Sequence, residues 1–235
     1  MLSRRAFCNC ASLALFAAAS GKAHAAVGEC AVLTPALQKS VSPADAIARL
    51  QAGNTRFSSG KTINCDLMQQ VKETAAAQAP FAAVVGCIDS RVPPELVFDQ
   101  RIGDIFCARV AGNFINNDII GSLEFATKVS GARAIVVLGH NDCGAIKGAV
   151  DHVKLGHLTA MLTNIAPAVV STRTSGDRNS KNAAFVQAVA ENNVKLSVAA
   201  LTSRSSILKG LVTAGQLRIV GAMHDLATGR VTFMS

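Results

Sequence analysis

Tryptophan and tyrosine are absent from the 235 residues, and aromatic side chains make up only 4% of them. A surface that stacks the bases of single-stranded nucleic acid is hard to build from so few rings. Charge is sparse too, at 16% of residues. The net charge of +8 comes from scattered Lys and Arg, without a run of like sign or a nucleic-acid-binding motif. That excess reads as a solvated surface with a weak pull on anions, not as a nucleic-acid footprint. Repeats and low-complexity segments are missing, and beyond the N-terminal leader no apolar run reaches the ~18 residues of a membrane span. A soluble mature chain is therefore expected. Hydrophobic residues, in contrast, make up 50% of the chain. That is enough for a sizeable core in one domain.

Residues 1–25 read as a signal peptide. Ser3-Arg4-Arg5-Ala6-Phe7 resembles a twin-arginine export signal, a moderately apolar stretch follows at 11–19, and Ala23-His24-Ala25 supplies the small residues of a cleavage site. Cleavage after Ala25 and export, to a periplasm, are expected. Without the leader, 20 Lys and Arg stand against 15 Asp and Glu, a net of +5. The twin-arginine route carries folded proteins, so thiols that bind a metal could be loaded before they meet an oxidising compartment.

The mature chain, 26–235, reads as a single catalytic domain. Residues 26–41 lack periodicity and read as an extended arm. Ser42-Pro43-Ala44-Asp45 has the order of a helix start, with a cap, a proline and an acid in the first turn. Gly53 and Asn54 weaken that helix, which should bend or end near Ser58. Short apolar runs at 81–87, 105–111, 134–138 and 217–222 suit buried parallel strands, and 231–234 suits an edge strand. Helical patterns fall at 118–130, 143–153, 157–172, 181–203 and 204–213, and 171–180 is a polar loop. The expected class is α/β: a central, mostly parallel β-sheet flanked by helices, with an N-terminal helical arm.

Two segments carry chemistry: Cys87-Ile88-Asp89-Ser90-Arg91 and His140-Asn141-Asp142-Cys143. Each follows a predicted strand, where open α/β sheets collect ligands. Two thiolates and an imidazole suit Zn²⁺, and three protein ligands leave the open position of a catalytic site. A closed site with Asp89 or Cys107 as fourth ligand is the alternative. Asp89 either binds the metal or pairs with Arg91, two residues on, which would keep it ionised beside the metal.

These segments, C-x-D-S-R and G-H-x-x-C-G, resemble the signature of the β-class carbonic anhydrases. The resemblance extends from about Ser42 to the C-terminus and includes Arg109-Val110-Ala111-Gly112-Asn113 and G-S-L-E-F at 121–125. It implies one zinc per subunit on Cys87, His140 and Cys143, with Asp89 and Arg91 as catalytic dyad. The implied reaction is reversible hydration of carbon dioxide by a zinc-activated hydroxide. Gln78 matches a substrate-binding Gln of the members whose zinc keeps a water. Members whose Asp closes onto zinc have a Trp three residues before the first Cys, part of a bicarbonate regulatory pocket; here that position is Val84, so the open type is implied. Phe106, Ala111 and Phe125 are the implied pocket lining, Phe106 across a dimer and Phe125 where many members have Tyr. A homodimer or tetramer follows from the same resemblance. Alternatives on this fold are hydrolysis of carbon disulfide or carbonyl sulfide, or zinc binding without catalysis.

Cys30 and Cys65 are neither ligands nor within predicted strands and are candidates for a disulfide. Cys107 reads as an inert buried thiol, Arg109 as structural or near the site entrance, and Asp142 as a turn residue. His152 and His157 are the candidate proton shuttles.

Overall fold

The computed structural model describes residues 29–234; the leader expected at 1–25 lies outside them. Five strands form one sheet: β1 (Ala82–Gly86), β2 (Ile105–Arg109), β3 (Ala134–His140), β4 (Arg218–His224) and β5 (Val231–Phe233). Their order is β2-β1-β3-β4-β5. β1 runs parallel to both β2 and β3, β3 parallel to β4, and only the edge strand β5 is antiparallel. The fold class is the one expected from the sequence.

β1 and β3 are buried along their whole length, which is why they read as continuous apolar runs. Alternate residues serve opposite faces. Val84, Val136 and Leu138 pack on one side under Ala46, Ile47 and Leu50 of α2 (Pro43–Ser58). Val85, Ile135 and Val137 pack on the other, against Leu123, Val194, Leu201 and Leu208. Val194 and Leu201 belong to α9 (Ala183–Arg204), whose buried residues recur from Phe185 to Leu201 at helical intervals.

Chain order reverses between β1 and β3: the chain leaves β1 for β2 on one side and returns to β3 on the other. At such a switch point the connections diverge and leave a crevice beyond the strands' carboxyl ends. The segments following β1 and β3 are those that hold Cys87 and His140.

Several expectations need correction. Residues 26–41 are not wholly extended: α1 (Pro35–Ser40) forms there, capped by the Thr34 side chain with Pro35 in its first turn. The Thr-Pro pair was the available signal. α2 starts with the capping box at Ser42 and Asp45 and ends at Ser58, as expected, but it runs unbroken through Gly53 and Asn54. A Cβ on Gly53 would lie 1.8 Å from the carbonyl oxygen of Phe98. Asn54 donates to the carbonyls of Val97 and Gly229 and accepts from the Val231 amide at 2.8 Å. Poor helix formers are thus kept for a close tertiary joint. The pattern at 157–172 splits into α7 (Gly156–Leu162) and α8 (Ala166–Ser171), with Pro167 in the first turn of α8. The helix expected at 118–130 is α5 (Asn117–Glu124) followed by a π-helical turn, Phe125–Val129. Two further helices, α3 (Leu67–Thr74) and α4 (Pro94–Val97), are short.

Cys30 and Cys65 form a disulfide that fastens the arm to the segment before α3. Leu33 is buried in the α2 cluster, and Gln38 donates to the carbonyls of Pro80 and Ser130, both at 2.7 Å. The bridge closes a loop of sequence separation 35, for which chain entropy sets a stabilisation of up to about 4 kcal/mol. Cys65→Ser should lower unfolding free energy in urea by an amount approaching that figure, and reductant should lower the wild type equally. Identical denaturation midpoints for oxidised wild type and variant would contradict it.

Candidate metal centre

Cys87 follows the last residue of β1 and His140 is the last of β3. After His140 the chain must reverse sharply to bring back Cys143. Asp142 makes the turn at φ 54°, a left-handed conformation that Asp tolerates better than most residues, and its carboxylate pairs with Lys147. Cys143 then caps α6 (Gly144–Val150). The turn is tied down from β4: the Asn141 amide donates to the carbonyl of His224, and its side chain accepts from the Leu226 amide at 2.9 Å.

The three ligand atoms lie within 4.8 Å of one another and all three residues are buried. The sulfurs of Cys87 and Cys143 are 4.0 Å apart. Two thiolates bound at ~2.3 Å to one tetrahedral zinc stand about 3.8 Å apart, so the separation suits a shared ion. His140 supports the same reading. Its Nδ1 lies 2.8 Å from the carbonyl oxygen of Asn141, so Nδ1 carries the proton and Nε2 offers a lone pair. Nε2 is buried and has no hydrogen-bond partner among the described residues. A buried acceptor left bare beside two sulfurs is a costly arrangement unless a cation meets it.

The contact between the two sulfurs holds the Cys87 thiol well below its usual pKa, with help from the Gly112 amide, and pushes Cys143 up. The Gly112 amide donates to Cys87 Sγ at 3.3 Å.

Asp89 and Arg91 sit in a turn closed by the Val92 amide on the Asp89 carbonyl, and they meet because Asp89 Oδ1 accepts the backbone amide of Arg91 at 3.0 Å. The guanidinium grips both carboxylate oxygens, Nε to Oδ1 at 2.9 Å and Nη2 to Oδ2 at 2.7 Å. Arg91 therefore holds the carboxyl of Asp89 far below the ordinary carboxylate range. Oδ2 lies 3.9 Å from His140 Nε2, at the edge of the ligand cluster. Arg109 donates to the carbonyls of Cys87 and Asp89, at 2.8 and 2.6 Å. It clamps the backbone of the ligand segment.

The family model described as "Carbonic anhydrase" matches residues 82–231. The chain belongs to the carbonic anhydrase family. "Carbonic anhydrase 2" of Mycobacterium tuberculosis is 35% identical over 194 residues, 80% of this chain and 91% of that protein. The carbonic anhydrase of Mycolicibacterium smegmatis is 35% identical over 201 residues, 82% and 94% of the two chains. In fold, the chain resembles the Aspergillus fumigatus β-carbonic anhydrase CafA, with a TM-score of 0.62 at 24% identity over 82% of this chain and 90% of that one. Two tetrameric β-carbonic anhydrases of Sordaria macrospora are represented by a structure with a TM-score of 0.61 at 22% identity, over 72% and 90% of the respective chains. The family is an enzyme family, and its β class is supported by sequence and fold together.

Not every residue named from the sequence gathers at the centre. Ala111 immediately precedes Gly112 and so stands beside Cys87. Phe106 and Phe125 pack against each other, centroids 6.2 Å apart, in a separate apolar groove of about 630 Å³ on the β2 side. Phe106 is in register with Ala83, about 13 Å along the strand from Cys87. Gln78 is exposed before β1 begins, at the opposite end of the sheet from the cysteines. Within one chain these three do not reach the ligand cluster. His152 and His157 are exposed. Cys107 lies in β2 but is only half-buried; burial raises its thiol, helped by the nearby Glu95.

Two residues near the centre escaped the sequence reading. His224 is in register with His140, is buried, and has both ring nitrogens unbonded among the described residues. Asn193 of α9 donates to the Gly112 carbonyl at 2.8 Å. Neither lies in a local motif; only the pairing of β3 with β4 and the packing of α9 bring them in.

The purified chain should carry one zinc ion per subunit by elemental analysis. Cys143→Ala and His140→Ala should each abolish stoichiometric retention while leaving a folded circular-dichroism spectrum. Full metal content in both variants would show that the ion sits elsewhere.

Proposed function

We propose that this chain catalyses the reversible hydration of carbon dioxide to bicarbonate and a proton at a zinc ion held by Cys87, His140 and Cys143. The observation that carries this reading is the bare Nε2 of His140 facing two sulfurs, with an ionised carboxylate 3.9 Å away. Bound there, zinc would supply the Lewis acidity that makes water a nucleophile near neutral pH.

The chain's own groups do the rest. Asp89 Oδ2 accepts a hydrogen from the attacking water and so aims its lone pair. Arg91 keeps that carboxylate charged and turned toward the ligands. Ala111 contributes apolar wall, which suits an uncharged substrate. Gln78, Phe106 and Phe125 act from a neighbouring copy: Phe125 is 51% exposed and β2 is an outer strand of the sheet among the described residues, so a second subunit on this side would bury them. We propose a homodimer or tetramer on that basis, with Gln78 donating to a substrate oxygen. The leader motif supports export to a periplasm, where the disulfide would persist. Among the described residues no helix is long and apolar enough to cross a membrane.

Because Arg91 holds the Asp89 carboxyl below the ordinary carboxylate range, the dyad's contribution to stability is fully present above that range and is lost as pH falls through the folded pKa. The dyad stays ionised across neutral pH and cannot cause a change of activity there. Stopped-flow carbon dioxide hydration should show zinc-dependent activity, with Asp89→Ala reduced by about 10²-fold or more. Equal inactivity of wild type and variant from about pH 6.5 to 9 would end the reading. Parallel assays with carbon disulfide and carbonyl sulfide separate the sulfur-substrate chemistry.

A further inference from the structure

Asn193 sits in the middle of α9 with 3% of its surface exposed, among Val189, Ala190 and Val194. An amide in that setting is costly unless it is bonded. Its Nδ2 bonds to one acceptor, the carbonyl of Gly112, at 2.8 Å. Gly112 in turn donates its own amide to Cys87 Sγ at 3.3 Å. The N–H and the C=O of Gly112 belong to the two peptide planes that flank its α-carbon. Holding one plane fixes the other through the torsions between them. Gly112 needs that hold. Its φ is +83°, and a Cβ there would come 2.5 Å from Ile165 Cδ1, so the position has no side chain with which to fix itself.

We infer that Asn193 is a positioning residue for the metal centre: acting through Gly112, it aims an N–H at the sulfur of Cys87 and sets how strongly that thiolate donates to a bound metal. The inference rests on the zinc reading above. A hydrogen bond to a ligating sulfur draws electron density from it, and loss of the bond leaves a stronger donor held in a looser loop. Partners one step behind the ligands act in this way, and removing them typically costs ~10–100-fold in metal affinity.

Cobalt(II) is the probe, loaded into the full chain. Wild type should show sulfur-to-cobalt charge-transfer absorption; if it shows none, the metal reading itself fails. Asn193→Leu, nearly isosteric but without a donor, should move that band to lower energy and weaken zinc retention against a chelator by about 10–100-fold. Leu201→Ala, buried on the same helix away from the ligands, should lose stability but keep the wild-type band. If Asn193→Leu does not fold, Asn193→Ser, whose hydroxyl is too short to reach Gly112, decides with the same two readouts. A folded Asn193 variant with wild-type band and affinity, or a Leu201→Ala chain with the same band shift, overturns the inference.

Discussion

Cys87 and Cys143 approach to 4.0 Å across the crevice between β1 and β3, and much of the surrounding structure keeps that gap open. Two buried thiols and an imidazole make a poor core: the sulfurs press on each other, and His140 Nε2 faces them with no hydrogen-bond partner among the described residues. The surroundings do not relieve this locally. They instead enforce it, with Arg109 on the carbonyls before and after Ile88, Asn141 on β4, and Gly112 against the sulfur. A site that holds its ligands apart and unsatisfied is preorganised for a cation, and the stability it forgoes in the bare chain is recovered when the cation binds.

That arrangement demands close packing behind it. α9 crosses the sheet so near that a Cβ on Gly139 would lie 2.7 Å from Val194. Gly139 precedes the ligand His140, so the lack of a side chain there brings helix and ligand strand into contact. The same helix carries Asn193 to Gly112. One long helix thereby supports both halves of the centre, His140 through the sheet and Cys87 through the Gly112 loop.

The sequence made the centre legible because its ligands fall in two short segments, each directly after an apolar run. β1 and β3 could be placed for the same reason: strands buried on both faces leave continuous hydrophobic stretches. What stayed hidden was decided across the fold. Gly53 and Asn54 read as helix weakeners and turned out to be a joint, since nothing local reveals the Phe98 carbonyl above them. His224 lies two residues past the apolar run at 217–222, and only the strand register places it beside His140. The split between α7 and α8, at Pro167, was visible in principle and was outweighed by apolar spacing. Phe106, Phe125 and Gln78 came from resemblance, and one chain leaves them away from the ligand cluster; the neighbouring copy proposed above is what would bring them to it.

The dyad shows how a weak interaction can carry a strong constraint. The Arg91 side chain is 53% exposed, and pairs of that kind add little to stability. Yet Asp89 takes three hydrogen bonds from one residue, a backbone amide and two guanidinium nitrogens, and Arg109 fixes the backbone from which it projects. The carboxylate keeps its place at the edge of the cluster through the guanidinium contacts, and Arg109 braces the backbone behind it. The charge that keeps Asp89 ionised is thus the same charge that grips both its oxygens. A bound dication would compete with a single guanidinium for that carboxylate. Geometry, more than pairing energy, therefore sets where that carboxylate sits, and geometry here means the backbone held by Arg109 as much as the grip of Arg91.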